Sequence, residues 1–391
     1  MAGEPSDSAE VESGMRLALS EGQRRLRGEV RDFAAREIAP FADLWDREER
    51  IPGELPGRLA VLGLLGANLA PEWGGRGLDP ISYGLLTEEI GRACSSVRSL
   101  LTVHDMVGHA IQRWGSREQK ERWLGLLVRG ETLGAFALSE PNAGSDAGGV
   151  ETTAIPDGDD FVIDGRKRWT TFGQIAGLYL VVVKSDGKPT ALLVERDRPG
   201  LTVVPIHGML GTRASMLAEL RFEGCRVPRE NLLGRVGFGV SHVVAAALEH
   251  GRYSVAWGAV GVGQACLEAA QSYAAERRQF GAPLADHQLI RAMIADMITQ
   301  VRAGRLLCCR AGYLRSTGDP GALAEIMVAK YFCGRMAAQA ATDAVQIHGA
   351  YGCSSESSVS RYLRDSKILE IIEGSNQIQQ INIPRFSFEE L

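Results

Sequence analysis

A carboxylate stands where a predicted helix ends, within residues 364–377 of the chain. Apolar residues at helical spacing lead up to Glu373, and the following Gly374 can adopt the left-handed conformation that ends a helix. The next three residues, Ser375 to Gln377, carry hydrogen-bonding side chains. A loop-facing carboxylate among such groups has the chemistry of a general base placed against a bound ligand. Taken alone, an exposed helix cap is the more common explanation.

A glycine-rich run at residues 137–149 is the next candidate, with the order Ala-Leu-Ser-Glu-Pro-Asn-Ala-Gly-Ser-Asp-Ala-Gly-Gly. Its turn at Gly144, Ser145 and Asp146 exposes backbone N–H groups and a hydroxyl. Such a turn suits the polar edge of a ligand. A plain surface loop is the alternative.

A tryptophan and two threonines follow each other on a predicted strand, as Trp169, Thr170 and Thr171. An indole there could pack against the flat ring of a ligand, while the neighbouring hydroxyls form hydrogen bonds with the edge of that ring. The alternative, and the more frequent case, is a tryptophan of the hydrophobic core.

Two further segments have residue types suited to phosphate groups. Residues 277–281, Arg-Arg-Gln-Phe-Gly, end a predicted helix and could clamp a pyrophosphate. The alternative is a solvated cluster of cations at a helix C-terminus. Residues 346–352, Gln-Ile-His-Gly-Ala-Tyr-Gly, have glycines spaced for close backbone approach. They do not follow a strand, so they are no Rossmann fingerprint, and a helix-ending turn is the alternative.

One arginine lies inside an otherwise apolar helical segment. This residue is Arg98, in residues 94–103. A guanidinium is expensive to bury without a partner, so Arg98 requires an anion. A salt bridge to an internal Asp or Glu is the alternative to an anionic ligand.

The composition is that of an ordinary globular protein, with 45% hydrophobic and 23% charged residues in 391. A net charge of -5 without long basic runs argues against a nucleic-acid partner. No apolar stretch has the length of about 18 residues that a membrane span needs. The seven cysteines include no C-x-x-C pair, and the histidines form no ligand pattern. This predicts reduced thiols in a cytoplasmic protein and gives no support for a metal site.

The elements that must position these residues change type twice along the chain. Residues 1–14 are small, polar and acidic, and we expect a disordered lead there. Helical patterns fill residues 15–131, short Val- and Thr-rich runs between Asp-Gly and Pro-Gly turns fill residues 132–236, and long Ala-rich helical patterns fill residues 237–391. The order predicts an α+β protein with an N-terminal helical domain, a middle antiparallel β domain and a C-terminal helical bundle.

Capping and periodicity predict individual helices. Ser20 with Gln23, and later Ser116, are capping-box starts. Residues 60–69 and 83–93 are predicted as apolar helices, and Asp286 as the N-cap of a helix that continues to residue 316. The last predicted helix leads into Glu373.

The types and order of these motifs resemble one family, the flavin-dependent acyl-CoA dehydrogenases, over residues 18–387. Residues 137–149 fit the first signature of that family at every constrained position. Residues 346–365 resemble the second signature and depart from it at Ala350, where Gly or Ser is usual. The resemblance implies an acyl-CoA dehydrogenase-like fold with a C-terminal four-helix bundle, FAD as cofactor, a homotetramer or homodimer, and an electron-transfer flavoprotein as electron acceptor.

The resemblance also implies roles for single residues. Glu373 matches the base that removes the α-proton of an acyl thioester, whose β-hydride passes to the flavin. A branch of the family carries its base at the position of Gly251, so Glu373 keeps this role and Glu249 is the nearby rival. Matching flavin-ring contacts are Phe136, Leu138, Ser139, Trp169 and Thr171; contacts to the FAD of a neighbouring subunit are Arg277, Phe280 and Gln288; phosphate and adenosine contacts are Gln346, Gly349, Ser375 and Gln377; substrate contacts are Arg98, Ser99, Ser145 and Arg252.

The predicted substrate is a short acyl thioester with a polar or anionic end. The segment around Arg98 and Ser99 is similar to glutaryl-CoA dehydrogenase, in which a matching Arg-Ser pair holds the distal carboxylate; residues 251–258 are also similar. The same stretches are at least as similar to the dehydrogenases that make hydroxy-, methoxy- or aminomalonyl extender units on an acyl carrier protein. Ile372 and Ser375, where Tyr and Thr are usual, favour this second group.

Two other functions stay open from the sequence. A catalytically silent protein that binds acyl thioesters would have the same fold, although intact Glu373, Trp169 and Thr171 argue against silence. An acyl-CoA oxidase would differ only in passing electrons to oxygen. Whether CoA or a carrier protein presents the thioester is also open.

Overall fold

The computed structural model describes residues 18–389, with side chains up to residue 386, so the predicted lead at residues 1–14 lies outside the described residues. Between residues 21 and 128 the chain forms six α-helices. These are α1 Glu21–Glu37, α2 Ala42–Glu48, α3 Leu55–Val61, α4 Pro80–Ala93, α5 Ser95–Trp114 and α6 Arg117–Val128.

Both predicted capping boxes are present. Ser20 Oγ accepts a hydrogen bond from the Gln23 N–H at 3.1 Å, and the Gln23 side chain accepts one from the Ser20 N–H at 3.0 Å. Ser116 and Gln119 make the same reciprocal pair. These pairs fix the first residues of α1 and α6, because each satisfies two N–H groups that a helix start leaves unpaired.

The prediction of a helix at residues 60–69 is wrong. α3 ends at Val61, and the chain then turns, with φ of +64° at Gly63 and +60° at Gly66. Two left-handed residues interrupt a right-handed helix. The apolar pattern arises because Leu64 and Leu69 are buried in a packed loop, whose Gly66 N–H donates to Asp105 of α5 at 2.8 Å.

In residues 134–228 the chain forms a seven-stranded sheet. Its strands are β1 Gly134–Ala137, β2 Thr153–Asp157, β3 Asp160–Thr170, β4 Leu178–Ser185, β5 Lys188–Glu195, β6 Leu201–Pro205 and β7 Ala218–Pro228. Their order is β1-β4-β2-β3-β7-β6, and β5 pairs with β4. β1 and β2 run parallel to β4, and the other pairs are antiparallel. The sheet is therefore largely antiparallel, as predicted.

Long helices return after the sheet. A π-helical turn at Gly239–Val244 leads into α7 Ala245–Glu276, and the short strands β8 Arg278–Gln279 and β9 Ala282–Pro283 connect it to the later helices, α8 Gln288–Thr317, α9 Ala322–His348, α10 Ser358–Ile371 and α11 Asn376–Glu389. Asp286 is not the N-cap of α8: it lies in a 3₁₀ turn, and His287 holds the cap position. α11 was not predicted as a separate helix.

α7 is the element against which the other helices are placed. It packs on α4, α5, α8, α9 and α10. Small residues permit the contact with α4, because a Cβ atom on Gly261 would lie 2.2 Å from the backbone oxygen of Glu88. The predicted order of helices, sheet and helices is confirmed, and α7 brings α5 and the end of α10 to one place.

The seven cysteines all lie in the described part of the chain and are free thiols. Cys308 and Cys333 lie side by side in the bundle, with Sγ atoms 3.7 Å apart. No helix among residues 18–389 is long and apolar enough to cross a membrane. The same residues contain no group of three or more His, Cys, Asp or Glu side chains that could hold a metal ion.

Candidate active site

Glu373 lies in a left-handed turn between α10 and α11. The angle φ is +56° at Glu373 and +87° at Gly374. The predicted helix end is present, and the left-handed backbone begins at Glu373 itself. A residue with a side chain adopts this conformation at a cost of about 1–2 kcal/mol, so the neighbouring structure must hold it.

Side chains from three helices hold this turn by its carbonyl groups. Arg252 Nε of α7 donates to the Glu373 carbonyl oxygen at 3.1 Å, and Lys330 Nζ of α9 donates to the Gly374 carbonyl oxygen at 2.7 Å. Gln379 Nε2 of α11 donates to both, at 3.3 and 3.0 Å. The backbone that carries the Glu373 carboxylate is therefore fixed from several directions.

The Glu373 carboxylate lies against α7. A Cβ atom on Gly251 would be 2.5 Å from Oε2 of Glu373 and 2.8 Å from Sδ of Met106, a residue of α5. Oε2 is buried and has no hydrogen-bond partner. An unpaired, oriented carboxylate oxygen is what proton abstraction from a ligand requires.

Burial also sets the acidity of this group. It raises the pKa of Glu373 to about 7, while the positive charges of Arg252, Arg98 and Lys330 act in the opposite direction. A carboxylate with a pKa close to neutral is matched to general-base work at physiological pH. The assignment of Glu373 as the base stays a prediction that this geometry supports.

Glu249, the rival base, has another partner. Its Oε1 lies 3.5 Å from Nε of Arg315 on α8. Gly251, the other position considered for a base, has no side chain. Of these three positions, only Glu373 carries a buried carboxylate oxygen without a hydrogen-bond partner.

Arg98 is a buried cation on α5, with 1% of its surface exposed. Its Nη1 donates to Thr102 Oγ1 at 3.1 Å and its Nη2 to Ser95 Oγ at 3.5 Å, while Nε has no partner. Among the described side chains it forms no ion pair with an Asp or Glu, so the alternative of an internal salt bridge is wrong for this structure. Burial lowers the pKa of Arg98 to about 10, and the charge of Glu373 acts against that change.

Neutral hydroxyl groups extend behind Arg98. Thr102 Oγ1 lies 2.7 Å from Ser254 Oγ, and the hydroxyl of Tyr83 lies 2.9 Å from Nε2 of His250. Burial holds the pKa of His250 well below its usual value, so this imidazole is neutral. Arg98 is thus oriented by uncharged groups and keeps its charge available for a ligand. Ser99 donates to the Ser95 carbonyl of its own helix at 3.0 Å.

Trp169 is not a core residue. It is 44% exposed and has φ of +65° at the end of β3, with the Arg168 guanidinium 4.5 Å from its ring centre. The Arg168 N–H donates to the Ser139 carbonyl at 2.8 Å, which places the ends of β1 and β3 side by side. Phe136, Leu138, Ser139 and Thr171 are half-buried around this edge. An exposed indole beside partly covered apolar side chains fits the flat ring of a flavin.

The loop that carries Ser145 is anchored through the side chain of Glu140. Glu140 accepts hydrogen bonds from the N–H groups of Glu151 and Thr152 and forms a buried ion pair with Lys167. Ser145 itself is exposed. These contacts tie residue 140, near the start of the glycine-rich loop, to residues 151, 152 and 167.

The remaining predicted cofactor residues lie far from Glu373 within one chain. Arg277 follows Gly251 by 26 residues of α7, about 39 Å at 1.5 Å per residue. Phe280 is 97% exposed on the hairpin after α7, and Gln288 is the exposed first residue of α8. Gln346 and Gly349 lie at the far end of α9 from Lys330. For Arg277, Phe280 and Gln288 this separation agrees with the expectation that they contact the FAD of a neighbouring subunit, which stays a prediction. Gln346 and Gly349 stay predicted phosphate and adenosine contacts.

The residues after Glu373 have local partners. The Ile378 N–H donates to Ser375 Oγ at 3.4 Å, and Asn376 Nδ2 donates to Glu370 Oε1 at 2.9 Å. Gln377 is exposed. The sequence analysis missed Lys330 and Gln379, which hold the turn, and a lone lysine among the apolar residues of α9 was the available signal.

Three family models cover almost the whole chain. The N-terminal, middle and C-terminal domain models of the acyl-CoA dehydrogenases match residues 20–131, 135–225 and 238–387. Together with the helix-sheet-helix fold they define an FAD-dependent oxidoreductase that acts on CH–CH bonds. The chain belongs to the acyl-CoA dehydrogenase family.

Particular relatives agree with this assignment. The probable acyl-CoA dehydrogenase YngJ of Bacillus subtilis is 40% identical over 378 residues, 95% of this chain and 99% of that protein. A solved glutaryl-CoA dehydrogenase from Mycobacterium smegmatis superposes with a TM-score of 0.91 at 32% identity, covering 95% and 96% of the two chains. FkbI, which serves biosynthesis of a methoxymalonyl extender unit for a polyketide, has a TM-score of 0.85 at 34% identity, covering 93% and 99%. Both groups that the sequence resembles are thus among its structural relatives.

Proposed function

We propose that this protein dehydrogenates a short acyl thioester with an anionic or hydroxylated far end, in the synthesis of an extender unit on an acyl carrier protein. Glu373 is the base in this proposal. Glutaryl-CoA dehydrogenation is the alternative, because its substrate also ends in a carboxylate.

The observation that carries the proposal is the buried Arg98. Its guanidinium has hydroxyl partners, an unpaired Nε and no carboxylate partner among the described residues, and it is close enough to Glu373 for their charges to interact. A charge-assisted hydrogen bond to a ligand carboxylate satisfies such a group better than an apolar chain does. An acyl group between Glu373 and Arg98 would have its α-carbon at the base and its far end at the cation.

Packing around Arg98 supports a short acyl group. A Cβ atom on Gly258 would lie 2.9 Å from Cδ of Arg98, and one on Gly84 would lie 2.2 Å from the ring of Trp257. The contact between α4, α5 and α7 is therefore filled by Arg98 and Trp257. A long fatty chain would have to displace these side chains.

The chemistry divides between the chain and its cofactor. Glu373 removes the proton from the α-carbon, and the fixed turn keeps its carboxylate in reach. Trp169 and the half-buried side chains beside it would hold FAD, which would supply an acceptor for the hydride of the β-carbon. Hydrogen bonds to the thioester carbonyl make the α-proton acidic enough for a carboxylate to remove.

The test is anaerobic bleaching of the bound flavin. Glutaryl-CoA, butyryl-CoA and a carrier protein whose short acyl group ends in a hydroxyl would be mixed in turn with the purified yellow protein, and the rate constants compared. We expect faster bleaching with the carboxylated or hydroxylated acyl group than with butyryl. Equal or faster bleaching with butyryl-CoA would remove the proposed role of Arg98, and no bleaching by any thioester would favour a silent binding protein.

The same preparation tests the remaining parts of the proposal. An electron-transfer flavoprotein is the proposed acceptor, so turnover should depend on it, whereas oxygen consumption without it would indicate an oxidase. A homotetramer or homodimer is proposed, because Phe280 and Arg277 are exposed at the end of α7 far from Glu373. Light scattering would measure the mass directly.

A further inference from the structure

Lys330 is a fully buried cation on α9, with 0% of its surface exposed. Its Nζ donates to the Gly374 carbonyl at 2.7 Å and lies 3.4 Å from the Glu370 carbonyl at the end of α10. Among the described side chains it forms no ion pair with an Asp or Glu. Burying an ammonium group is costly, so its position demands a reason.

The reason lies in the turn that Lys330 binds. Glu373 has a left-handed backbone that its own side chain disfavours, and such strain persists only where surrounding contacts impose it. The contact from Lys330 is the shortest of the hydrogen bonds that side chains donate to the two carbonyls of this turn. Gly334 lies one helical turn after Lys330. A Cβ atom on Gly334 would lie 3.4 Å from the Leu369 carbonyl oxygen and 3.7 Å from Cα of Glu370, so α9 packs closely on α10 here.

We propose that Lys330 is a positioning residue for Glu373, whose ammonium group fixes the Gly374 carbonyl and thereby the direction of the Glu373 carboxylate. This inference rests on the proposed role of Glu373 as the base. Lys330 touches neither substrate nor flavin in this proposal and acts through the backbone and its charge.

The charged groups that act on Glu373 and Lys330 lie on α5, α7, α9 and α10. Arg98 is on α5, Arg252 on α7 and Lys330 on α9, while Glu370 of α10 faces Lys330. Each of the three cations favours the ionised form of Glu373. Burial lowers the pKa of Lys330 to about 8, so its charge is present at neutral pH.

The experiment compares Lys330→Met with the wild-type holoenzyme. We expect the rate constant of substrate-induced flavin bleaching to fall about 10- to 100-fold, since small misplacement of a reacting group has effects of this size. The KM should change less than about threefold, because substrate contacts remain. The acid limb of the pH–rate profile should move to higher pH, because loss of the Lys330 cation raises the pKa of Glu373.

Controls separate this role from a general effect on folding. Lys367→Met removes a half-exposed lysine of α10 that pairs with Glu370, and it should leave rate and pH profile unchanged. Gln379→Leu removes the two hydrogen bonds that Gln379 donates to the turn without changing charge, so the rate should fall while the acid limb of the pH–rate profile stays.

If wild-type protein bleaches and Lys330→Met has the same bleaching rate constant and the same acid limb of the pH–rate profile, the inference is overturned. If Lys330→Met loses its flavin, the Gln379→Leu variant provides the test instead. An unchanged bleaching rate in Gln379→Leu would show that the turn does not need side-chain hydrogen bonds to its carbonyls, and this would overturn the inference. Failure of the wild type to bleach with any thioester would instead reject the proposed function.

Discussion

Oε2 of Glu373 faces Gly251 so closely that a Cβ atom on Gly251 would lie 2.5 Å from it. The Glu373 carboxylate therefore packs directly against the backbone of Gly251. A side chain at this position and a carboxylate in its present place exclude each other. This relationship explains in steric terms why a base has room at one of the two positions only.

Gly251→Ala should displace the Glu373 carboxylate and slow flavin bleaching by about 100-fold with every acyl thioester, because misplacement of about 1 Å has that effect. The variant should still bind FAD, since Gly251 touches none of the predicted flavin contacts. Stopped-flow absorbance measures the rate. A bleaching rate within twofold of wild type would show that the carboxylate moves freely.

Glu373→Gln should retain FAD and lose bleaching, because an amide cannot accept the α-proton. Glu249→Gln is the matched control and should stay active, since Glu249 pairs with Arg315. Flavin spectra before and after addition of substrate give the result. The opposite outcome, with Glu249→Gln inactive and Glu373→Gln active, would move the base to α7.

The pH dependence follows from the pKa of about 7 for Glu373. Only the ionised carboxylate accepts a proton, so the bleaching rate of the free enzyme should rise with pH and level off above about 7. Because burial raises this pKa above its value in the unfolded chain, the group favours the folded state at low pH and this contribution is lost as pH rises through 7. Between about pH 4.5 and 7, the unfolding free energy of wild type should therefore fall more than that of Glu373→Gln. An acid limb near the ordinary glutamate value of about 4.3 would contradict both expectations.

Arg98→Met should slow bleaching by a carboxylated acyl thioester by about 10- to 100-fold and leave a neutral short acyl group within about threefold, because only the former loses a charge-assisted bond. Gly258→Ala is a second way to disturb the same guanidinium, since its new Cβ would lie 2.9 Å from Cδ and Nε of Arg98. Rate constants for both substrates test the two variants together. Equal losses with both acyl groups would make Arg98 a structural residue.

Trp169→Ala should lower the flavin content of the purified protein while leaving its fold intact, because the indole is 44% exposed and makes little core contact. Trp257→Ala is the contrasting variant, since Trp257 is fully buried and its loss should cost about 3–5 kcal/mol of unfolding free energy. The ratio of flavin to protein absorbance and a denaturant titration distinguish the two effects. Full flavin content in Trp169→Ala would remove this residue from the cofactor site.

Much of the fold was accessible from the sequence because its signals are local. The Ser20–Gln23 and Ser116 capping boxes lie where the helices start, since a cap depends on residues only three apart. The helix at residues 60–69 failed for a related reason. Apolar residues buried in a loop have the same composition as a helix face, and only the backbone angles of Gly63 and Gly66 separate the two.

By itself the sequence determined the family, the order of the domains' elements and the carboxylate at the end of α10, because each depends on residues adjacent along the chain. Only the tertiary structure decided which groups position the Glu373 carboxylate and which groups set its pKa. Arg98, Gly251 and Lys330 belong to three different helices, and they meet Glu373 only after α5, α7 and α9 pack together. Burial and electrostatic interaction act through space, so no spacing along the chain reveals them.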